Sequence, residues 1–99
     1  TIQPSNTITS IADITCGESV GVPQVVNLAG ANANRKELVI NVPSDAANGI
    51  RIGDNTITQS KGLKVEPGST VTLATDAAIY GIKDGAVDVT VNLIELARV

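Results

Sequence analysis

Residues 36–42 alternate cleanly: Leu38, Ile40 and Val42 are separated by Glu37, Val39 and Asn41. Successive side chains of a strand point to opposite faces, so this spacing predicts a strand with one buried face. Pro43 ends it. Residues 86–96 form the longest alternating run, with Val87, Val89, Val91 and Leu93 set between Asp88, Thr90 and Asn92. The pattern then slips, because Leu93 and Ile94 adjoin and Leu96 follows Glu95. A bulge near Leu93 would restore the inward face. Otherwise the C-terminal end is apolar on both faces and pairs with another chain.

Shorter runs follow the same rule. Residues 25–28, 50–52, 56–58, 62–65, 70–75 and 79–82 read as strands. They are separated by turns built from Gly, Pro, Asn and Asp. Glu66-Pro67-Gly68-Ser69 suits a type II turn, with Gly68 at positive φ. Cys16-Gly17-Glu18-Ser19 reads as a turn, Asp76-Ala77-Ala78 as a corner, and Lys83-Asp84-Gly85 as the close of a hairpin. Residues 29–34 and 46–48 are small and polar, which suits exposed loops. Upstream, Ile8, Ile11 and Ile14 stand three apart, but Thr7, Thr9, Thr15, Pro4 and Gly17 oppose a helix. We read this zone as an extended arm with short strands. The segment 7–14 is either the domain's own first strand or a strand added to a neighbour's sheet edge. The second option is favoured, because the core is thin.

Composition explains why it is thin. Twelve Val, eleven Ile and ten Thr make a third of the 99 residues β-branched, a bias that suits pleated sheets. There is no Phe, Trp or Met, and Tyr80 is the one aromatic residue. Each missing large ring would have buried roughly 150–250 Å². Contact with a partner or an identical subunit offsets that shortage. The expected fold is all-β: a single-domain antiparallel β-sandwich, jelly-roll or Greek-key-like. An extended N-terminal arm covers 1–22 and the sandwich covers 23–99.

Chemistry is narrowly limited. The chain has no His, which excludes Ser-His-Asp and Cys-His catalysis and His-bearing zinc sites. A single cysteine, Cys16, forms no internal disulfide and has no neighbouring cation in sequence to stabilise a thiolate. It reads as a small buried side chain. Asp45, Asp54, Asp76 and Asp84 fall in turns, without the regular spacing of a calcium loop. Arg51-Ile52-Gly53-Asp54 carries an extra Ile relative to an adhesion tripeptide. Arg51 is expected on a solvent face, paired with a carboxylate. No glycine-rich loop has the Lys-Ser/Thr of a phosphate cradle. The net charge of -3 opposes nucleic-acid binding. The start Thr1-Ile2-Gln3-Pro4-Ser5 lacks the pattern of a signal peptide, and no apolar run would span a bilayer. Synthesis in the cytoplasm, no membrane partner, no cofactor, no metal and no enzymatic activity are the expectations.

Between residues 37 and 96 a set of short motifs occurs in order. These are Asn41-Val42-Pro43-Ser44, Arg51-Ile52-Gly53-Asp54, Lys61-Gly62-Leu63, Pro67-Gly68-Ser69 and Ala78-Ile79-Tyr80-Gly81-Ile82. Their order resembles a group of small tailed-phage virion proteins encoded among the head genes. The resemblance covers about 60 residues and stops short of the first 30. It implies a β-sandwich that decorates or cements a phage capsid on the virion surface, bridging adjacent major capsid subunits, often as a homotrimer. It leaves open a tail, head-completion or fibre-associated component, and the residues themselves leave open a soluble ligand-binding module. Candidate interface residues are Ile8, Ile11 and Ile14 on the arm, Tyr80 as an amphipathic anchor, and Ile94 and Leu96 at the apolar C-terminal end.

Overall fold

The structure, a computed structural model, describes residues 7–98. Ten strands follow one another: β1 (Thr7–Cys16), β2 (Glu18–Ser19), β3 (Val22–Pro23), β4 (Val26–Ala29), β5 (Arg35–Asn41), β6 (Ile50–Gly53), β7 (Leu63–Val65), β8 (Thr70–Leu73), β9 (Ile79–Lys83) and β10 (Val89–Ala97). One sheet has the order β1-β10-β5-β8 and the other β4-β9-β6-β7, while β2 and β3 form a separate hairpin. All of these pairings are antiparallel. With the hairpin set aside, each sheet draws strands from both halves of the chain in the wrapped order of a jelly roll.

The core lies between the sheets. From one sheet come Cys16, Leu38, Ile40, Val89, Val91 and Leu93, and from the other Leu28, Ile50, Ile52, Val65 and Ile79. No aromatic ring enters it. Gly49 allows β6 to close on β7, since a Cβ at that position would sit 1.9 Å from the Val65 carbonyl oxygen. Gly68 has a φ of +82°, and Ser69 N–H donates to the Glu66 carbonyl, which completes the expected turn.

Several expectations are corrected. The segment 7–14 is not handed to a neighbour in this structure: Thr7–Cys16 pairs with β10 of its own chain, so β1 is part of the sandwich. The remainder of the expected arm, 1–6, lies outside the described residues. There is no bulge at Leu93. The register shifts fall on the strands beside β10: in β1 between Ile11 and Ile14, and in β5, where Glu37 faces Leu96 and Arg35 faces Ala97. β10 keeps its alternation because Glu95, opposite inward-facing Leu38, takes the inward position itself. Val87 is half exposed and precedes the strand. Residues 56–58 form no strand. They belong to a tight loop with a Thr58–Lys61 bridge that presses Ile57 against the outer side of β6. Lys83-Asp84-Gly85 closes no hairpin, since β9 and β10 lie in different sheets.

The charge that turns Glu95 inward is Arg35, which is buried at the start of β5. Its Nε donates to the Thr75 carbonyl at 2.9 Å and its Nη1 to the Gly30 carbonyl at 2.8 Å, while Nη2 donates to Ala77. Glu95 Oε2 lies 3.6 Å from Nη1, and Asn32 Nδ2 donates to Glu95 Oε1 at 2.6 Å. One side chain thus fastens the loops before β5 and after β8 to the end of β10. Arg35→Ala strands three carbonyls and one inward carboxylate. It is expected to cost about 3 kcal/mol, read from the urea midpoint. A loss below about 1 kcal/mol would show that the cluster is merely tolerated.

Candidate functional site

The outer face of the β1-β10-β5-β8 sheet gathers three of the expected interface residues. Ile8 lies opposite Leu96, and Ser10 opposite Ile94. On its other side Ile94 faces Val39 and Leu96 faces Glu37. Directly paired residues share a face, so Ile8, Leu96, Ile94 and Val39 form one diagonal apolar strip. Ile8 is 73% exposed and Ile94 37%, while Leu96 and Val39 are half-buried by their neighbours. A shallow groove of about 210 Å³, lined by Val39, Asn41, Asn92, Leu93 and Ile94, continues the strip. Its far end is polar: the Asn41 and Asn92 amides lie 3.1 Å apart, and Asn41 donates to the Thr70 hydroxyl at 2.9 Å. β1, ten residues long, forms one edge of this sheet and carries Ile8 of the strip near its start.

The other candidates lie elsewhere. Ile11 and Ile14 turn inward and pack against the core. Ile11 is three positions from Ile8, an odd step that alternation alone puts on the opposite face, and the register shift between Ile11 and Ile14 then brings Ile14 to the same inward face. Tyr80 is half-buried in β9 of the opposite sheet, paired with Asn27 and Gly53. It does not meet the strip. Val39 was missed as a site residue. Its signal was an apolar side chain standing between Glu37 and Asn41 on the polar side of an alternating strand.

The opposite end of the sandwich carries the second buried cation. Lys83 Nζ lies 2.7 Å from Glu18 Oε2, 3.1 Å from Asp88 Oδ1 and 3.0 Å from the Ala86 carbonyl. The hydrogen bond that Lys83 donates to Glu18 holds the lysine pKa above its ordinary 10.5, with Asp88 adding to the effect against the opposing cost of burial. Glu18 belongs to the β2–β3 hairpin, so this ion pair clamps the hairpin onto the sandwich. Beside it an open cleft of about 600 Å³ runs between the hairpin and residues 83–86. On the same sheet Asp84 bridges Arg51 Nε at 3.2 Å and Lys64 Nζ at 3.3 Å, which gives Arg51 its expected carboxylate. Hydrogen bonds from Lys64 to Glu66 and then to Asp84 raise the Lys64 pKa. Asp54 builds its own turn by accepting from the Thr56 hydroxyl and backbone N–H, and these bonds lower its pKa.

Cys16 is fully buried against Val89, and burial pushes its thiol up to about 11. Among the described residues, no group of three His, Cys, Asp or Glu side chains converges as a metal site. No described helix is long and apolar enough to cross a membrane. The site presents an apolar strip, a long strand edge and two clamped ends. In comparisons with protein-family models, curated proteins and solved structures, the chain matches none.

Two outcomes follow from these environments. Below pH 10.5 the Lys83 clamp is fully formed, and its contribution is lost as pH rises through the higher folded-state pKa. The urea midpoint of the wild type is therefore expected to fall relative to Lys83→Met once pH passes 10.5. A difference that stays constant across that range would remove the clamp from the stability balance. The Cys16 thiol is expected to resist aromatic disulfide reagents at neutral pH in the native protein and to react at once in urea. Rapid native labelling would contradict its burial.

Proposed function

We propose that this protein is a structural virion component that cements a phage capsid by bridging adjacent major capsid subunits. The observation that carries the reading is the Ile8–Leu96–Ile94–Val39 strip on a sheet face, beside the β1 edge. The ordered motifs between residues 37 and 96, with their resemblance to small tailed-phage virion proteins, supply the partner. The jelly-roll strand order is compatible with that setting. Fold alone does not assign it.

The mechanism is cohesion. Covering one large aliphatic side chain contributes roughly 1.5–3 kcal/mol. A four-residue strip is a modest contact, and a homotrimer presents it three times, so that engagement of one copy raises the local concentration of the other two. Main-chain bonds along an accessible strand edge would add affinity without demanding a particular sequence. The summed contacts hold neighbouring shell subunits against internal genome pressure.

Purified protein is expected to cosediment with undecorated capsids and to raise their resistance to heat and chelator. Ile94→Asp places a charge in the middle of the strip on an already accessible position. It is expected to keep the fold and weaken capsid binding at least ~tenfold. Absence of cosedimentation would end this assignment, and localisation to the tail by electron microscopy would move it to a tail or head-completion role.

A further inference from the structure

The β2–β3 hairpin breaks two local rules at one residue. Val20 has a φ of +51° and is 98% exposed. Gly21 follows at +76°, and Ser19 pairs with Val22, so Val20 and Gly21 form the two-residue turn of a hairpin in which both central residues have positive φ. Such turns favour Asn, Asp or Gly at the first central position. A β-branched residue is disfavoured there, and an apolar side chain almost wholly in water gains nothing from its own chain. Val22, 58% exposed, extends the apolar tip. The hairpin is nonetheless firmly based: Glu18 is held by Lys83, and Gln24 N–H donates to the Gly17 carbonyl at 3.0 Å. Strain placed on a rigid, exposed tip points to a contact outside the chain.

A receptor of matching chemistry lies at the foot of the hairpin. A groove of about 410 Å³ is lined by Pro23, Val25, Ile57 and Ile82, with Thr58, Gln59 and Ser60 completing the lining. Ile57 and Ile82 are buried yet stand apart from the main core cluster, as a small apolar floor on the outer side of the β4-β9-β6-β7 sheet. None of the lining residues is charged, and neither are Ser19, Val20, Gly21 and Val22 at the tip. Two chains that each carry a net charge of -3 can therefore meet there without bringing like charges together. Pro23 belongs to both the hairpin and the groove, so plug and socket sit side by side on one molecule. Seating one copy's tip in the next copy's groove is a head-to-tail contact, which builds a ring where the rotation between copies closes.

We infer that the Val20 hairpin tip is the contact between copies of this chain, seated in the Pro23–Val25–Ile57–Ile82 groove of a second copy. The contact deepens the subunit ring of the cementing role and rests on that reading only for the ring's purpose. It lies on the sheet opposite the Ile8–Ile94 strip, which leaves the strip free for a shell.

The test uses the full chain without any capsid. Light scattering over a wide concentration range is expected to show reversible self-association by the wild type. Val20→Asn suits the turn better, so it is expected to melt no lower than the wild type while weakening self-association at least ~tenfold. Val20→Gly, equally at ease at positive φ, serves as the second variant. When equal amounts of Val20→Cys and Ser60→Cys protein are mixed under mild oxidation, the mixed disulfide is expected to exceed the two homodisulfides combined, which is the share random pairing would give it, with buried Cys16 silent. A wild type that stays monomeric at all concentrations overturns the inference. So does unchanged association by Val20→Asn and Val20→Gly, or a mixed disulfide no more abundant than the two homodisulfides combined. Loss of capsid binding by Val20→Asn from a monomeric wild type would assign the tip to the shell instead. Self-association through the tip by a protein that ignores capsids would keep this contact and overturn the cementing role.

Discussion

The structure depends on closing a sandwich that has no ring to fill its ends. The space between the sheets is occupied by Ile, Leu, Val, Ala and one Cys. Two long cationic side chains complete it, Arg35 at one end and Lys83 at the other. Their aliphatic stems supply volume, and their charges would be costly if left unmet. Arg35 meets three carbonyls and Glu95; Lys83 meets two carboxylates and a carbonyl. Among the described residues, no buried side-chain polar atom lacks a partner. Replacing such clusters by apolar residues is often neutral in free energy, but removing one partner is not. The clusters therefore set geometry: each fastens remote loops to one strand end.

That closure determines what faces outward. Glu95 is drawn inward by Arg35, and its neighbours Ile94 and Leu96 are consequently held on the outer face of β10. There they meet Ile8 across β1 and Val39 across β5. At the other end Lys83 holds Glu18, and with it the hairpin that carries Val20. The two outward apolar features, on different sheets, are thus anchored by the two buried charges. A protein poor in internal apolar bulk leaves some of what it has on the surface, where association can cover it.

Much of the framework was legible along the chain. The alternation in 36–42 and 50–52 identified inward Leu38, Ile40, Val42, Ile50 and Ile52, because period two is a local property of an extended backbone. The Pro67-Gly68 turn was legible because its φ requirement lies within the residues themselves. The break after Leu93 was visible but misattributed. A carboxylate in an inward position looks like an error of phase until its cation is known, and Arg35 stands 60 positions away (95 − 35). Residues 56–58 resembled a strand because Thr-Ile-Thr alternates, yet Ile57 is buried by a loop folding over Gly53. Of the site, Ile8 was recognisable between Thr7 and Thr9, and Ile94 and Leu96 as the end of β10 where apolar residues occur on both faces. Ile11 was separable from Ile8 by period two, but Ile14 was not, since the shift that turns it inward arises from pairing with β10.

By itself the sequence determined the fold class, the Pro67-Gly68 turn, the absence of histidine chemistry and the scarcity of bulky core side chains. These follow from residue types and from neighbours a few positions apart. Tertiary structure decided which strands adjoin, where Glu95, Arg35 and Lys83 end, and which isoleucines share a face. Those outcomes depend on contacts between segments far apart in the chain. Whether a charge is buried or an apolar side chain exposed is set by what lies across the sheet, and a one-dimensional pattern carries no record of that neighbour.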